Sequence, residues 1–235
     1  GNLGTLLQNT GDLAGAEPLL REALEGRRET LGNRHPDTLG SINNLGELLK
    51  SKGDLAAAEP LYREAMAMSR ETLGNRHPHT LISISNLGLL LQAKGDLAAA
   101  ERLHRESLEA KRETLANRHP STLTSINNLG TLLYAKGDLA AAGPLFREAL
   151  EAQRETLGNR HPSTLATISN LGRLLMDKGD LAAAETLLRE ALEGVRETLG
   201  NRHPSTLSSM DNLSQLLEGK GDFAAAKQRE MDRWT

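Results

Sequence analysis

The 235-residue chain contains no cysteine, so neither disulfides nor thiolate metal sites can contribute to its fold or chemistry. Aromatic residues are scarce, at 2%. The core must therefore be aliphatic, and Leu and Ala, the residues at hand, are strong helix formers. A sheet would call instead for Val, Ile, Thr and aromatics. No apolar run approaches the roughly 20 residues needed to span a bilayer, so membrane insertion is not expected. Charge of either sign is not in excess: the formal net charge is −3, which gives no bulk attraction to nucleic acid or anionic membrane. The lack of cysteine fits a cytoplasmic protein. Met is missing at the start, where Gly1 stands, so the chain reads as a fragment of something longer.

Repetition is what the sequence has most of. The string RETLGNRHP ends at Pro36, Pro78, Pro162 and Pro204, and at Pro120 with Ala116 in place of Gly. From Pro36 to Pro78 the step is 42 residues, and the pair Gly-Asp recurs at the same interval from Gly11 to Gly221. The expected units are residues 1–35, 36–77, 78–119, 120–161, 162–203 and 204–235, one repeat array over 1–235. Such periods mark solenoids.

Each unit predicts two helices. In the second, His35-Pro36 opens helix A, because Pro is tolerated at the first helical position and pushes its predecessor out of the α region. Leu39, Ile42, Leu45 and Leu49 then fall on one face, with Gly46 on the same stripe. The helix should stop near Lys52, capped by Gly53. Asp54 supplies the N-cap of helix B, which carries Leu55, Ala58, Leu61, Tyr62, Ala65 and Met66 inward and ends near Leu73, with Gly74 as its cap. Pro18, Pro60 and Pro144 lie inside the B helices, where a lost backbone bond predicts a local kink. One such hairpin cannot bury its apolar face, but stacked copies can.

These residues resemble a tetratricopeptide repeat. Ile42, Leu45-Gly46 and Leu49 on helix A match that family's pattern, as do Ala58, Tyr62 and Ala65 on helix B. Small residues let the backbones approach and Tyr62 fills the gap beyond; His104 replaces Tyr62 and Phe146 at this slot. The period exceeds the usual 34 or so residues, and the 42-residue unit with its His-Pro loop is similar to kinesin light chain and its relatives. No heptad coiled coil of the kind that joins kinesin light chains to their motor is present. The resemblance implies an all-α, right-handed α-solenoid of stacked antiparallel helix pairs, with helix A lining a concave groove.

The resemblance also implies a non-enzymatic scaffold that binds an extended peptide segment of a protein partner. The groove positions are the amide column Asn44, Asn86, Asn128, Asn170 and Asn212, with Asn2 before it and Asn43 and Asn127 beside it. An amide offers a donor and an acceptor to peptide main chain. The same amides could instead bond neighbouring helices and lock the stack. Specificity is expected from positions that vary between units: Glu47, Lys50, Ile82, Leu89, Gln92, Thr131, Tyr134, Arg173, Met176, Asp177 and Glu218. Ile82, Leu89, Tyr134 and Met176 suggest an apolar anchor pocket for a linear motif. The carboxylate clamp of chaperone-tail binders needs a basic residue one turn before each Asn; Gly40, Ile82, Thr124, Ala166 and Ser208 stand there.

The Arg-His ladder of the loops, from Arg34-His35 to Arg202-His203, admits two readings. It is a basic edge for a polyanion or acidic partner, or it is structural, with His as N-cap and Arg paired with a Glu such as Glu71 or Glu113. The acidic net charge favours the structural one. His77-Pro-His79 occurs once and makes half a metal site at most, and His104 reads as a neutral core residue. No nucleophile–base pair, phosphate-cradling loop or metal-ligand spacing is found, so no catalytic residue, cofactor or metal is expected. The chain is read as a monomeric scaffold of the cargo-adaptor type, or as the regulatory array of a larger signalling ATPase. Its first helix, without a His-Pro start, is expected to fray from Gly1 to about Gln8, and Trp234 reads as the remnant of a terminal helix.

Overall fold

A computed structural model describes residues 12–221 of the chain. Asn2, Gly11, the start through Gln8, and Trp234 lie outside the described residues. Among these there are ten α-helices and no strand, which is the all-α class that the repeat predicts. The chain forms two compact units, Gly1–Ala116 and Asn117–Thr235. The first holds α1 (Leu13–Leu31), α2 (Pro36–Ser51), α3 (Leu55–Leu73), α4 (Pro78–Ala93) and α5 (Leu97–Leu115). The second holds α6 (Pro120–Ala135), α7 (Leu139–Thr156), α8 (Pro162–Asp177), α9 (Leu181–Leu199) and α10 (Pro204–Gly219). Within each unit every helix packs on the next, and alternate helices of the even-numbered series touch as well.

The boundaries follow from the caps. At the start of α2 the ring of His35 accepts from the Asp37 amide at 3.2 Å while its backbone stays extended, as the following proline requires. His77, His119, His161 and His203 repeat this arrangement. After α2 the chain turns in three residues. Gly53 takes φ +81°, its N–H reaches the Lys50 carbonyl, and the Asp54 N–H reaches that of Leu49. This is the double bond of a Schellman ending. Asp54 then caps α3 through its side chain, which accepts from the Ala57 amide at 3.0 Å. The helix continues through Pro60 to Leu73. Pro60 is exposed, so the carbonyl freed by its missing N–H can turn to water.

Packing depends on one repeated complementarity. A Cβ built on Gly130 would lie 2.8 Å from the Phe146 ring, and one on Gly172 would lie 2.8 Å from Leu188. Helix A therefore approaches helix B as closely as a missing side chain allows. Ala58, Tyr62 and Ala65 are fully buried on α3, and Leu55, Leu61 and Met66 are half-buried beside them. A buried Thr in the first turn of each A helix anchors the loop before it: Thr80 donates to the Gly74 carbonyl at 2.8 Å and Thr206 to that of Gly200 at 2.7 Å.

Candidate functional site

The outward faces of the A helices carry the residues expected to meet a ligand. In the first unit these lie on α2 and α4. Asn43 is buried, and its Nδ2 donates to the Leu39 carbonyl at 3.1 Å and to Ser83 Oγ at 3.0 Å. Its Oδ1 accepts from Asn86 Nδ2 at 3.4 Å. Asn44 is exposed. Glu47 accepts from Lys50 Nζ at 2.7 Å and from the Tyr62 hydroxyl at 2.9 Å. Leu89 is half-buried and Ile82 exposed.

The second unit repeats the pattern on α6 and α8. Asn127 Oδ1 accepts from Thr167 Oγ1 at 3.2 Å and from Asn170 Nδ2 at 3.3 Å. Asn128 is half-buried, as is Met176. Tyr134, Arg173 and Asp177 form a cluster: the guanidinium carbon of Arg173 lies 5.2 Å from the ring centroid, and the Tyr134 hydroxyl donates to Asp177 Oδ2 at 2.5 Å. Burial and the Asp177 bond raise the Tyr134 pKa.

The amide column thus divides. Asn86 and Asn170 each spend a donor on an Asn of the preceding A helix. Asn44, Asn128 and Asn212 have no side-chain hydrogen bond among the described residues. The cause for Asn212 is local. The position that Asn127 fills in its own repeat is Ser169 in the next, and a hydroxyl on one carbon offers no amide oxygen to bridge the helices.

A cleft of about 310 Å³ opens between α8 and α10. Asn170, Arg173, Asn212, Leu165 and Leu199 line it together with the buried Val195 of α9. Val195 decides its character. The equivalent positions on other B helices are Arg27, Ser69, Lys111 and Gln153, and in the first unit Arg27 donates to Ser41 while Lys111 donates to Ser85 Oγ at 3.2 Å. With valine there, no long polar side chain fills the space. This substitution was readable in the sequence as a break in a polar column, but only once that column was known to face the gap between A helices.

The Arg-His loops have partners within the fold. Arg34 pairs with Glu71 at 2.6 Å, Arg76 with Glu113, Arg118 with Glu155, and Arg160 with Glu197 at 2.7 Å. His77 and His79 stack with centroids 5.4 Å apart, and among the described residues no three His, Asp or Glu side chains gather as a metal site. His104 is buried at 2% exposure against Gly88.

Paired helices of constant period with small residues at the crossings define a helical-hairpin repeat array. The tetratricopeptide repeat matches residues 1–71, 38–113, 79–155, 121–178 and 163–232, and the chain belongs to that family. No curated protein matches it. Among solved structures it is similar to a Podosopora anserina protein assigned as a kinesin light chain with nearly identical TPR-like repeats. That match has 29% identity over 85% of this chain and 94% of the other, with a TM-score of 0.71. It shares its fold with BtubC (BKLC) from P. vanneervenii, at 23% identity over 94% and 89% with a TM-score of 0.73. The same holds for pilF of Pseudomonas aeruginosa, at 18% identity over 98% and 86% with a TM-score of 0.65. The described helices include none long and apolar enough to cross a membrane. The family is one of protein-interaction scaffolds.

Proposed function

We propose that this chain is a cytoplasmic scaffold that holds an extended segment of a partner protein along its A helices, in the manner of a kinesin light chain-like adaptor. The observation that carries this reading is the cleft between α8 and α10. Its lining includes the buried apolar Val195, the amides of Asn170 and Asn212, and the cation of Arg173. An apolar side chain of the partner packs on Val195 while Asn212, whose side chain has no hydrogen bond among the described residues, takes a main-chain group. Leu89, Tyr134 and Met176 add apolar surface elsewhere on the same face of their units. Fixing a pre-extended segment on rigid helices limits the entropy lost on binding.

A polyanion-binding edge has less support. Arg34, Arg76, Arg118 and Arg160 are each paired with a glutamate, and the histidines beside them cap helices. A role as the regulatory array of a larger signalling ATPase is compatible with the same cleft.

The test is selection of binders from a random linear peptide library, followed by Asn212→Ala and Val195→Gln. Weaker binding by both variants, with helicity unchanged by circular dichroism, supports the cleft. Affinity equal to the parent in both removes it.

A further inference from the structure

Three of the B helices begin with the same charge arrangement. Glu17 accepts from Arg21 Nη2 at 2.8 Å and from Lys52 Nζ at 2.5 Å. Glu59 accepts from Arg63 Nε at 2.8 Å and from Lys94. Glu185 accepts from Arg189 Nη2 at 2.6 Å and from Lys220 Nζ at 2.5 Å. The arginine lies one turn along the same helix. The lysine follows the A helix of the next repeat, where its cationic side chain also complements the helix C-terminus. Each carboxylate is half-buried and bridges two helices. Lys first, then Arg, holds its pKa below the ordinary carboxylate value in all three cases. The position is built for negative charge.

On α7 the two cations are kept and the acid is not. Arg147 and Lys178 stand at the arginine and lysine positions, and Gly143 takes the place of glutamate. Both cations are exposed, and neither side chain has an ion-pair or hydrogen-bond partner among the described residues. Glu151, one turn beyond Arg147, forms no ion pair with it. Gly143 is buried and helical, and a Cβ there would meet only Arg147 Nη1 and Leu174 Cδ2, each at 3.7 Å. That is ordinary contact, so close packing does not explain the glycine.

We infer that Arg147 and Lys178 form a docking point for a carboxylate side chain of a partner protein, which takes up the place that glutamate holds in the other repeats. The two cations offer the donors that bind both oxygens of Glu185 forty-two residues on, a guanidinium to one and an ammonium to the other. Arginine is suited to such paired recognition. Because both groups are exposed and screened by salt, the contact sets partner choice and register more than affinity. It lies apart from the cleft residues and does not depend on them.

The experiment follows the Arg147 Nε–Hε resonance by NMR at constant ionic strength, with the Arg189 resonance as internal reference. Blocked Gly-Glu-Gly should shift Arg147 saturably and leave Arg189 nearly still, and blocked Gly-Gln-Gly should shift neither. Gly143→Glu should abolish the response while the thermal midpoint holds or rises. Lys178→Gln, on an exposed side chain that spares the fold, should diminish it. Equal shifts at Arg147 and Arg189, or a response unchanged in Lys178→Gln, overturn the inference. A stronger response to inorganic phosphate than to the glutamate peptide overturns the assignment to a carboxylate.

Discussion

Gly46 lies so close to Tyr62 that a Cβ on the glycine would be 2.7 Å from the ring carbon Cε1. The ring is fully buried and cannot swing away, so Gly46→Ala must push two helices apart. Overpacking of this kind costs about 1–3 kcal/mol. Gly40, on the same helix with open space around it, provides the control. Gly40→Ala should stabilise by about 0.5–1 kcal/mol, and urea midpoints of the two variants should move in opposite directions.

Ala116 adopts φ 70° and ψ 164° at the end of α5, where Gly32, Gly74 and Gly200 end other B helices with nearly the same angles. This region of backbone space belongs to glycine and costs other residues about 1–3 kcal/mol. Ala116→Gly is expected to raise the denaturation midpoint by an amount in that range, less the extra chain entropy glycine brings to the unfolded state.

His104 fills the Tyr62 slot of its repeat, and its pKa is lowered to about 4, by burial first and by Lys111 second. The unfolded chain accepts a proton below about pH 6.5, whereas the folded one resists until about pH 4. This stability is complete above pH 6.5 and is lost as pH falls from there to about 4. Lys111, lowered to about 8 by burial, acts the same way at higher pH, between about 10.5 and 8. His104→Phe copies the ring at Phe146 and removes a buried Nε2 that lacks a partner. Its stability should exceed the parent's by an increment that grows on the order of 2–3 kcal/mol from pH 7 to pH 4. Parallel urea melts at the two pH values measure the difference, and acid effects from carboxylates cancel in the comparison.

Arg76 and Glu113 form an ion pair with both side chains largely exposed, at 67% and 42%. A double-mutant cycle with Arg76→Ala and Glu113→Ala should give a coupling of about 0.2–1 kcal/mol, shrinking in high salt. A salt-independent coupling would mean that the contact is better shielded than its exposure indicates.

Much of this was legible in the sequence, because repeated positions report one environment many times. The His-Pro start, the Gly-Asp turn, the Gly46–Tyr62 contact and the Arg–Glu pairing of the loops all follow from residue types at fixed spacing. What was not legible depends on neighbours about 40 residues away on another helix. Asn86 and Asn212 occupy equivalent positions, yet one is tied to Asn43 and the other has no such amide before it. Nothing in the repeat pattern alone marks out Gly143; its place matters only because Glu17, Glu59 and Glu185 each reach a lysine of the next repeat. Val195 likewise became informative only when its column was seen to face the space between A helices. The anchoring role of Thr80 and its equivalents was missed, although their constancy two residues after each Pro was the available signal.

Glu17, Glu59 and Glu185 each join a copy to its immediate neighbour, so the loss of one such contact is felt locally. Glycine at 143 leaves the contact of α7 with α8 one fastening short. Thermal opening should therefore begin at that seam before the melting transition, with amide protons beside it exchanging earlier than those beside Glu185.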